Sequence, residues 1–306
     1  MINDKQDYPL TVQFGIVDGC NQNCAFCGMQ GREHTVHYTE QQVVERLIGM
    51  LKEAGFKGRI RLDLYGEPTL HPHILEIISY MHQALPECHI TLFTNGFGVY
   101  TGKHSVDDYF RAGVGDIIFD VYSNTVAQYE KSGIAAHPNT VVNAVGVPFF
   151  IKSKRILVNL PIEDQQGIKT RSFVNHCGAG APPLVEPLCA KCAHPFRDFT
   201  VNSWGEIMLC CNDFRGEYLV GTLYEFTTFE EAWNSPRLVS ARKMLYSKDR
   251  SFNPCSKCNS KSHRVGLLPD RMGKKSLEAP TETDRKICEY AYASQHIHPK
   301  RREWEI

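Results

Sequence analysis

The sequence predicts an α/β protein built on a parallel sheet and followed by a small cysteine-rich domain. In the first half, apolar segments of strand composition alternate with amphipathic helical segments, which is typical of parallel βαβ units. From about residue 182 onward, Cys, Pro and Asn become frequent and only short strands are indicated. The chain holds 12 cysteines in 306 residues, most of them at short, ligand-like spacings.

The elements of the first half follow one another in strand–helix order. The strand-like segment 11–18 precedes a helical pattern over 39–54, in which Thr39 and Gln42 fit a capping box and Gly55 fits a C-cap. The remaining predicted strands span 59–66, 89–96 and 115–123, and the remaining predicted helices span 72–85 and 105–112. Functional groups in parallel α/β folds gather at the carboxyl ends of the strands, where each of the candidate motifs in this half lies.

The composition argues against several classes of function. Lys+Arg and Asp+Glu both number 34, and this balance speaks against a dedicated nucleic-acid or membrane-surface binder. No apolar run approaches the roughly 20 residues that span a bilayer, and the first residues lack a secretion signal. We therefore expect a cytoplasmic protein. Because thiols stay reduced in that compartment, metal or cluster binding explains the cysteines better than disulfides do.

We expect three parts in the chain. Residues 1–181 would form the sheet-containing domain, and residues 182–262 would form a small domain stapled by metal, since their cysteines stand in little regular structure. Residues 263–306 are polar and charged, with some helical pattern over 285–294. They would form a solvated extension or cover a domain edge.

Three cysteines, Cys20, Cys24 and Cys27, lie in one loop directly after the first predicted strand. Three thiolates on a [4Fe–4S] cluster leave one iron without a protein ligand, so that iron is able to bind a substrate or cofactor. An electron-transfer cluster would normally have a fourth thiolate. The alternative is a zinc loop that a distant His or Cys completes.

With Phe26 before its third cysteine, this loop resembles the C-x3-C-x-aromatic-C signature of the radical S-adenosylmethionine (SAM) superfamily. The resemblance implies a partial (β/α)6 TIM-like barrel and a [4Fe–4S] cluster that binds SAM. Further residues at strand ends match positions where the family contacts SAM: Gly66, Glu67 and Pro68 after the second strand, Thr94 and Asn95 after the third, and Asp120 and Ser123, beside Tyr122, after the fourth. Tyr65 replaces the usual first glycine. The alternatives are plain turns and, for Asp120, a cap of the following helix.

A second cysteine set lies in the C-terminal half. Two C-x2-C pairs, Cys189/Cys192 and Cys255/Cys258, are compatible with a zinc ribbon. The stretch from Cys192 through Gly205 to Cys210 also resembles the SPASM/twitch extension of radical SAM enzymes. That resemblance implies an auxiliary [4Fe–4S] cluster, which we assign to Cys192, Cys210, Cys255 and Cys258, with Cys189 and Cys211 as spares. Four protein ligands imply a closed cluster that carries electrons.

The resemblance implies that an electron from flavodoxin or ferredoxin breaks SAM into methionine and a 5′-deoxyadenosyl radical. That radical would abstract hydrogen from a small polar substrate, such as a sugar or aminocyclitol. Dehydrogenation of an alcohol carbon, as in the 2-deoxy-scyllo-inosamine dehydrogenase type, and epimerisation are both open. Epimerisation needs a thiol hydrogen donor, for which Cys177 is the speculative candidate. Peptide modification, a zinc-stabilised binding module and a simple iron–sulfur electron carrier are the alternatives.

Overall fold

The computed structural model describes residues 8–30, 36–142, 154–159, 174–260 and 278–293, and the structural statements below concern these residues. The strands are β1 (Thr11–Phe14), β2 (Val17–Asp18), β3 (His37–Tyr38), β4 (Arg59–Leu62), β5 (His89–Thr94), β6 (Asp116–Asp120), β7 (Thr140–Val142), β8 (Arg155–Asn159), β9 (Asp198–Val201), β10 (Glu206–Met208) and β11 (Leu219–Thr222). The helices are α1 (Gln41–Glu53), α2 (Ile74–Ala84), α3 (Phe97–Tyr100), α4 (Val106–Ala112), α5 (Val126–Lys131), α6 (His194–Arg197), α7 (Phe229–Trp233), α8 (Pro236–Tyr246) and α9 (Glu282–Ala293).

Most of the described strands form one sheet in the order β11-β10-β9-β1-β4-β5-β6-β8-β7. All neighbours from β9 to β7 pair in parallel, and only β10 runs antiparallel to the strands on its two sides. Helices connect β1 to β4, β4 to β5 and β5 to β6, as the alternation in the sequence predicted. The carboxyl ends of β1, β4, β5 and β6 therefore lie along one edge, where the predicted motifs meet.

Helix α1 confirms two of the local features predicted from the sequence and contradicts a third. Its apolar residues Val44, Leu47 and Leu51 are fully buried against the sheet, as their helical spacing predicted. Gly55 follows the helix in the left-handed conformation (φ 63°), which confirms the predicted C-cap. The predicted capping box at Thr39 is wrong. The N-cap is Glu40, which makes no side-chain cap bond, and the helix begins one residue later.

The strands of the cysteine-rich segment extend the barrel sheet. β9 pairs in parallel with β1, with Thr11 opposite Asp198 and Phe14 opposite Val201. This pairing covers the edge of β1 that would otherwise present free backbone groups. A separate apolar cluster made of Tyr65, Met208, Phe214 and Leu219 lies between the two halves, and Cys27 and Leu64 pack against it. We refer to these four residues as the junction cluster.

The polar C-terminal segment is packed over its described part. Helix α9 is capped by Thr281, whose hydroxyl and backbone N–H contact the carboxylate of Asp284, and Ser240 of α8 donates to the same carboxylate (2.8 Å). Cys288 is 1% exposed and its Sγ lies 3.6 Å from the hydroxyl of Tyr218. Of the two expectations for this segment, a solvated extension or a cover of a domain edge, the packing of residues 282–289 on α8 agrees with the second.

None of the helices in the described ranges is both long and apolar enough to cross a bilayer. The expectation of no secretion signal concerns the first residues, of which 1–7 lie outside the described ranges.

Candidate active site

The three-cysteine loop lines a cavity of about 310 Å³ at the carboxyl ends of the parallel strands. Cys20, Cys24 and Cys27 are partly exposed to this cavity. The loop begins at Gly19 (φ 126°), which pairs with Gly66 in an isolated parallel bridge. A side chain at Gly66 would place its Cβ 2.4 Å from the carbonyl oxygen of Gly19, so this close approach requires glycine.

Glu67 ties the strand ends together beneath the cavity. Its Oε1 accepts hydrogen bonds from the backbone N–H and hydroxyl of Thr69 (3.0 and 2.7 Å) and from the hydroxyl of Thr94 (2.7 Å). Its Oε2 accepts from the N–H of Asn95 (2.7 Å). Burial raises the pKa of Glu67, and these hydrogen bonds oppose that rise. The carboxylate therefore positions the Thr94–Asn95 turn as well as lining the cavity.

Asn95 connects this turn to the cysteine loop. Its Nδ2 donates to Oδ1 of Asn21 (2.9 Å) and lies 3.6 Å from Sγ of Cys20. The residues that the sequence analysis assigned to SAM after the second and third strands thus surround the first cysteine. Pro68 is the exception, because it is buried as the first residue of a 3₁₀ turn and does not line the cavity.

The end of β6 adds a further part of the wall. Asp120 lines the cavity and accepts a hydrogen bond from Nδ2 of Asn159 (2.8 Å). It caps neither the following 3₁₀ turn nor α5, whose N-caps are Tyr122 and Thr125. The ring of Phe26 stacks on that of Tyr122, with 6.0 Å between centroids. Ser123 begins the 3₁₀ turn and is not among the described residues that line the cavity.

Sequence reasoning missed the remaining wall of the cavity. Arg61 and Asp63 form an ion pair there, with the guanidinium 4.3 Å from the centroid of the Phe93 ring. Further lining side chains come from the cysteine-rich half: His176, Cys211, Asn212 and Phe214. One signal could have found the pair, since charged residues at 59, 61 and 63 alternate with apolar residues in and just after a central parallel strand, where a near-continuous apolar run is usual.

The auxiliary cysteines assigned from the sequence are close enough to one another for their charges to interact. Cys192, Cys210, Cys255 and Cys258 are all buried, whereas Cys189 is exposed and Cys211 faces the cavity. No three His, Cys, Asp or Glu side chains in the described part of the chain are arranged as ligands of a single metal ion.

Cys177, the speculative hydrogen donor, joins this group and does not line the cavity. Its thiol lies within hydrogen-bonding reach of Cys210 and Cys258, and its hydrogen bond to Cys258 is the largest cause that lowers the pKa of that thiol to about 6.

Both cysteine groups fit iron–sulfur clusters. The N–H groups of Gln22, Met29 and Ser260 point at Sγ of Cys20 (3.4 Å), Cys27 (3.5 Å) and Cys258 (3.4 Å). Hydrogen bonds to sulfur stabilise and tune thiolates that bind iron. Burial raises the pKa of Cys20 to about 11, so its thiolate form needs a cation beside it, which iron supplies.

Curated relatives cover different parts of the chain. GTP 3',8-cyclase of Actinobacillus pleuropneumoniae is 25% identical over 157 residues, which are 50% of this chain and 45% of that enzyme. The chain thus spans about half the length of the cyclases that it matches. The S-adenosyl-L-methionine-dependent 2-deoxy-scyllo-inosamine dehydrogenase of Niallia circulans is 21% identical over 252 residues, which are 79% of this chain and 90% of that enzyme.

A solved structure has the same fold. The crystal structure of BtrN in complex with AdoMet and 2-DOIA superimposes with a TM-score of 0.64 at 18% identity, covering 86% of this chain and 98% of that one. The predicted class, a partial TIM-like barrel with an auxiliary domain, is therefore confirmed.

Family profiles agree with both halves of the site. The radical SAM superfamily profile matches residues 15–142, and the SPASM profile, described as an iron–sulfur cluster-binding domain, matches residues 192–259. The cofactors are accordingly SAM, the [4Fe–4S] cluster that binds it, and auxiliary iron–sulfur cluster binding by the second domain. The chain belongs to the radical SAM superfamily and carries a C-terminal SPASM-type iron–sulfur domain.

Proposed function

We propose that this radical SAM enzyme dehydrogenates an alcohol carbon of a small polar substrate. The observation that carries the proposal is the composition of the cavity. One wall is the three-cysteine loop, and another contains Cys211, the direct neighbour of the auxiliary cysteine Cys210. A substrate in this cavity would lie between the two cluster sites. The dehydrogenase of Niallia circulans, which matches most of this chain, supports the same type of reaction.

Each group of residues in and beside the cavity has a role in this proposal. Cys20, Cys24 and Cys27 hold the SAM-binding cluster, and Cys192, Cys210, Cys255 and Cys258 hold the auxiliary one. When bound, SAM and the two clusters supply the hydrogen-abstracting radical and the electron acceptor that dehydrogenation requires. The chain itself orients SAM through the turn that Glu67 and Asn95 fix, with Asp120 near the ribose.

The cavity also shields the reacting carbon from water. Phe26, Phe93, Tyr122 and Phe214 line it with aromatic surface, and Gly28 and Gly180 let the cysteine loop pack closely against the second half. A Cβ at Gly180 would lie 2.4 Å from the carbonyl oxygen of Phe26, and one at Gly28 would lie 2.4 Å from the Phe214 ring. Such packing holds the target carbon near the radical and keeps solvent from competing.

Anaerobic turnover tests the proposal. The reconstituted protein is incubated with dithionite, SAM and candidate cyclitols and sugars, and 5′-deoxyadenosine and the carbonyl product are measured by mass spectrometry. We expect one equivalent of ketone per 5′-deoxyadenosine and no product from Cys24→Ala. An intact pair of clusters that yields no 5′-deoxyadenosine under any condition contradicts the proposal.

Epimerisation is the second candidate, and the position of Cys211 favours it. This thiol lies in the cavity wall, so it is placed to return hydrogen to a substrate radical. In D₂O the thiol exchanges, so an epimerised product would carry one deuterium and no change in oxidation state. A ketone, which is two electrons more oxidised than the substrate, identifies dehydrogenation instead. Loss of epimerised product in Cys211→Ala, with 5′-deoxyadenosine still formed, supports epimerisation.

The physiological setting is part of the same proposal. We expect a cytoplasmic enzyme, because oxidising compartments damage clusters with an open iron. We also expect a reduced flavodoxin or ferredoxin as electron donor, in line with the superfamily that the sequence resembles.

A further inference from the structure

The ion pair in the cavity wall has unused hydrogen-bonding groups. Nη2 of Arg61 contacts Oδ2 of Asp63, which leaves Nε of Arg61 and Oδ1 of Asp63 buried and without a hydrogen-bond partner among the described residues. Both side chains line the cavity, and the guanidinium is held against the ring of Phe93. The two side chains are 25% and 14% exposed, so the remaining polar atoms of the guanidinium and the carboxylate are accessible to a molecule in the cavity.

The backbone beside this pair is strained. Leu64 has φ 84°, a left-handed conformation that a bulky L residue rarely adopts. Leu64 also packs closely against Gly15, where an added Cβ would lie 3.2 Å from Cβ of Leu64. Strain of this kind persists mainly at functional sites, and here it falls directly after Asp63. The fold therefore holds the Asp63 carboxylate in the cavity wall in spite of the backbone strain at Leu64.

The charge of the cavity limits what it can bind. Among its described lining residues, Arg61 is the one lysine or arginine, and Asp63 already pairs with it. Glu67 and Asp120 add negative charge. Burial lowers the pKa of His176, so this ring is neutral at pH 7. A phosphorylated substrate, such as a nucleoside triphosphate, would find no unpaired cation at these residues.

We infer that Arg61 and Asp63 together bind neighbouring hydroxyl groups of a small polyol that carries no phosphate. The inference rests on the proposed function and specifies its substrate class. A hydroxyl both donates and accepts, so one hydroxyl donates to the carboxylate of Asp63 while its neighbour accepts from the guanidinium of Arg61. The apolar ring of Phe93 lies beside the pair, where it contacts the C–H face of the polyol.

The test measures binding, without turnover. The cluster-loaded protein is kept anaerobic with SAM and no reductant, and saturation-transfer NMR is used to titrate scyllo-inositol, myo-inositol, glucose, 2-deoxy-scyllo-inosamine and GTP. The test variant is the double substitution Arg61→Gln/Asp63→Asn, which retains side-chain size and leaves no lone buried charge. The matched control, Lys57→Gln/Glu87→Gln, removes a surface ion pair whose side chains are 58% and 63% exposed.

We expect at least one polyol to bind the unmodified protein and GTP not to bind. The double variant should bind that polyol about tenfold more weakly, or weaker still. Its affinity for SAM and its melting temperature should stay close to those of the control. Equal polyol binding by the double variant, preferential GTP binding, or no binding by any polyol overturns the inference. Polyol binding that Arg61 and Asp63 control, without 5′-deoxyadenosine on reduction, overturns the proposed function alone.

Discussion

One short turn, at residues 175–178, serves both cysteine sites. His176 and Cys177 are both left-handed (φ 46° and 55°), which is uncommon for residues other than glycine. Asn175 holds the turn: its N–H donates to Oδ1 of Asn259 (2.7 Å), and its Nδ2 donates to the carbonyl oxygen of Lys257 (2.8 Å). As a result, the ring of His176 lines the cavity while the thiol of Cys177 contacts Cys210 and Cys258.

Replacing Cys177 with Ala should therefore alter the auxiliary site and spare the SAM site. The physical reason is the loss of a thiol that hydrogen-bonds two of the assigned cluster ligands, and such bonds tune cluster potentials. Iron and sulfide analysis with EPR of the reduced protein would measure the change. Cys88→Ala is the matched control, because Cys88 is also buried but bonds to the carbonyl oxygen of Phe56. Unchanged auxiliary signals in Cys177→Ala would contradict the placement.

Glu67 gives a second prediction at the scale of one residue. Changing Glu67 to Gln replaces an acceptor of four hydrogen bonds by an amide that must turn a donor toward one of them. The free energy of unfolding should fall by roughly 1–3 kcal/mol, because charged acceptors are worth more than neutral ones. Chemical denaturation and SAM titration would test this. The exposed Glu87→Gln should change neither, and equal behaviour of the two variants would refute the role of Glu67.

At the scale of elements, α9 depends on its first turn. Asp284 accepts from the N–H and hydroxyl of Thr281, from Ser240 and from Lys243, so one carboxylate both begins the helix and docks it on α8. Burial raises the pKa of Asp284, but the hydrogen bonds prevail and lower it to about 2.

The pH dependence of this docking follows from the sign of the shift. Because the pKa of Asp284 is lower in the folded protein than in the unfolded chain, where it is near 3.8, the ionised carboxylate stabilises the fold above that pH. This stabilisation disappears as the pH falls toward 2. Asp284→Asn should therefore lower the melting temperature at pH 7, and the difference from the unmodified, cluster-free protein should shrink below pH 4. Calorimetry at both pH values measures it. A difference that persists at pH 2 would show that another group is responsible.

At the scale of the whole molecule, the two halves share one sheet. β9 covers the edge of β1, and the junction cluster buries Tyr65 and Phe214, whose ring centroids lie 4.9 Å apart. The amino-acid composition therefore changes at 181/182, but strands from both sides of this boundary belong to one sheet.

A chain ending at residue 181 should consequently not form a stable barrel. It would expose the edge of β1 and the junction residue Tyr65, which is 1% exposed in the whole protein. We expect aggregation or a broad, non-cooperative thermal transition, measured by light scattering and circular dichroism against the full chain. A soluble fragment with a sharp transition would show that the first half folds independently.

Local motifs were predictable from the sequence, and contacts between distant segments were not. The cysteine loop and the strand ends at residues 66–67 and 94–95 could be recognised in the sequence, because the residues of each motif are contiguous in the chain. Arg61 and Asp63 were missed, since their importance depends on the cavity that the second half closes. The place of Cys177 was missed for a related reason: the turn that holds it is fixed through Asn175 by Asn259, which lies 84 residues further along the chain. The prediction of a cap at Thr39 was wrong because the helix begins one residue later, with Glu40 at the N-cap.

The junction cluster has a consequence for maturation of the protein in the cell. Tyr65 directly precedes Gly66 in the cavity wall, and its hydroxyl lies 3.5 Å from the carbonyl oxygen of Cys210, so the junction cluster connects the polypeptide of the two cysteine sites. Insertion of one cluster should pre-order the recipient loops for the other. Under limiting iron, native mass spectrometry should find mostly empty and fully loaded chains, with few that carry a single cluster.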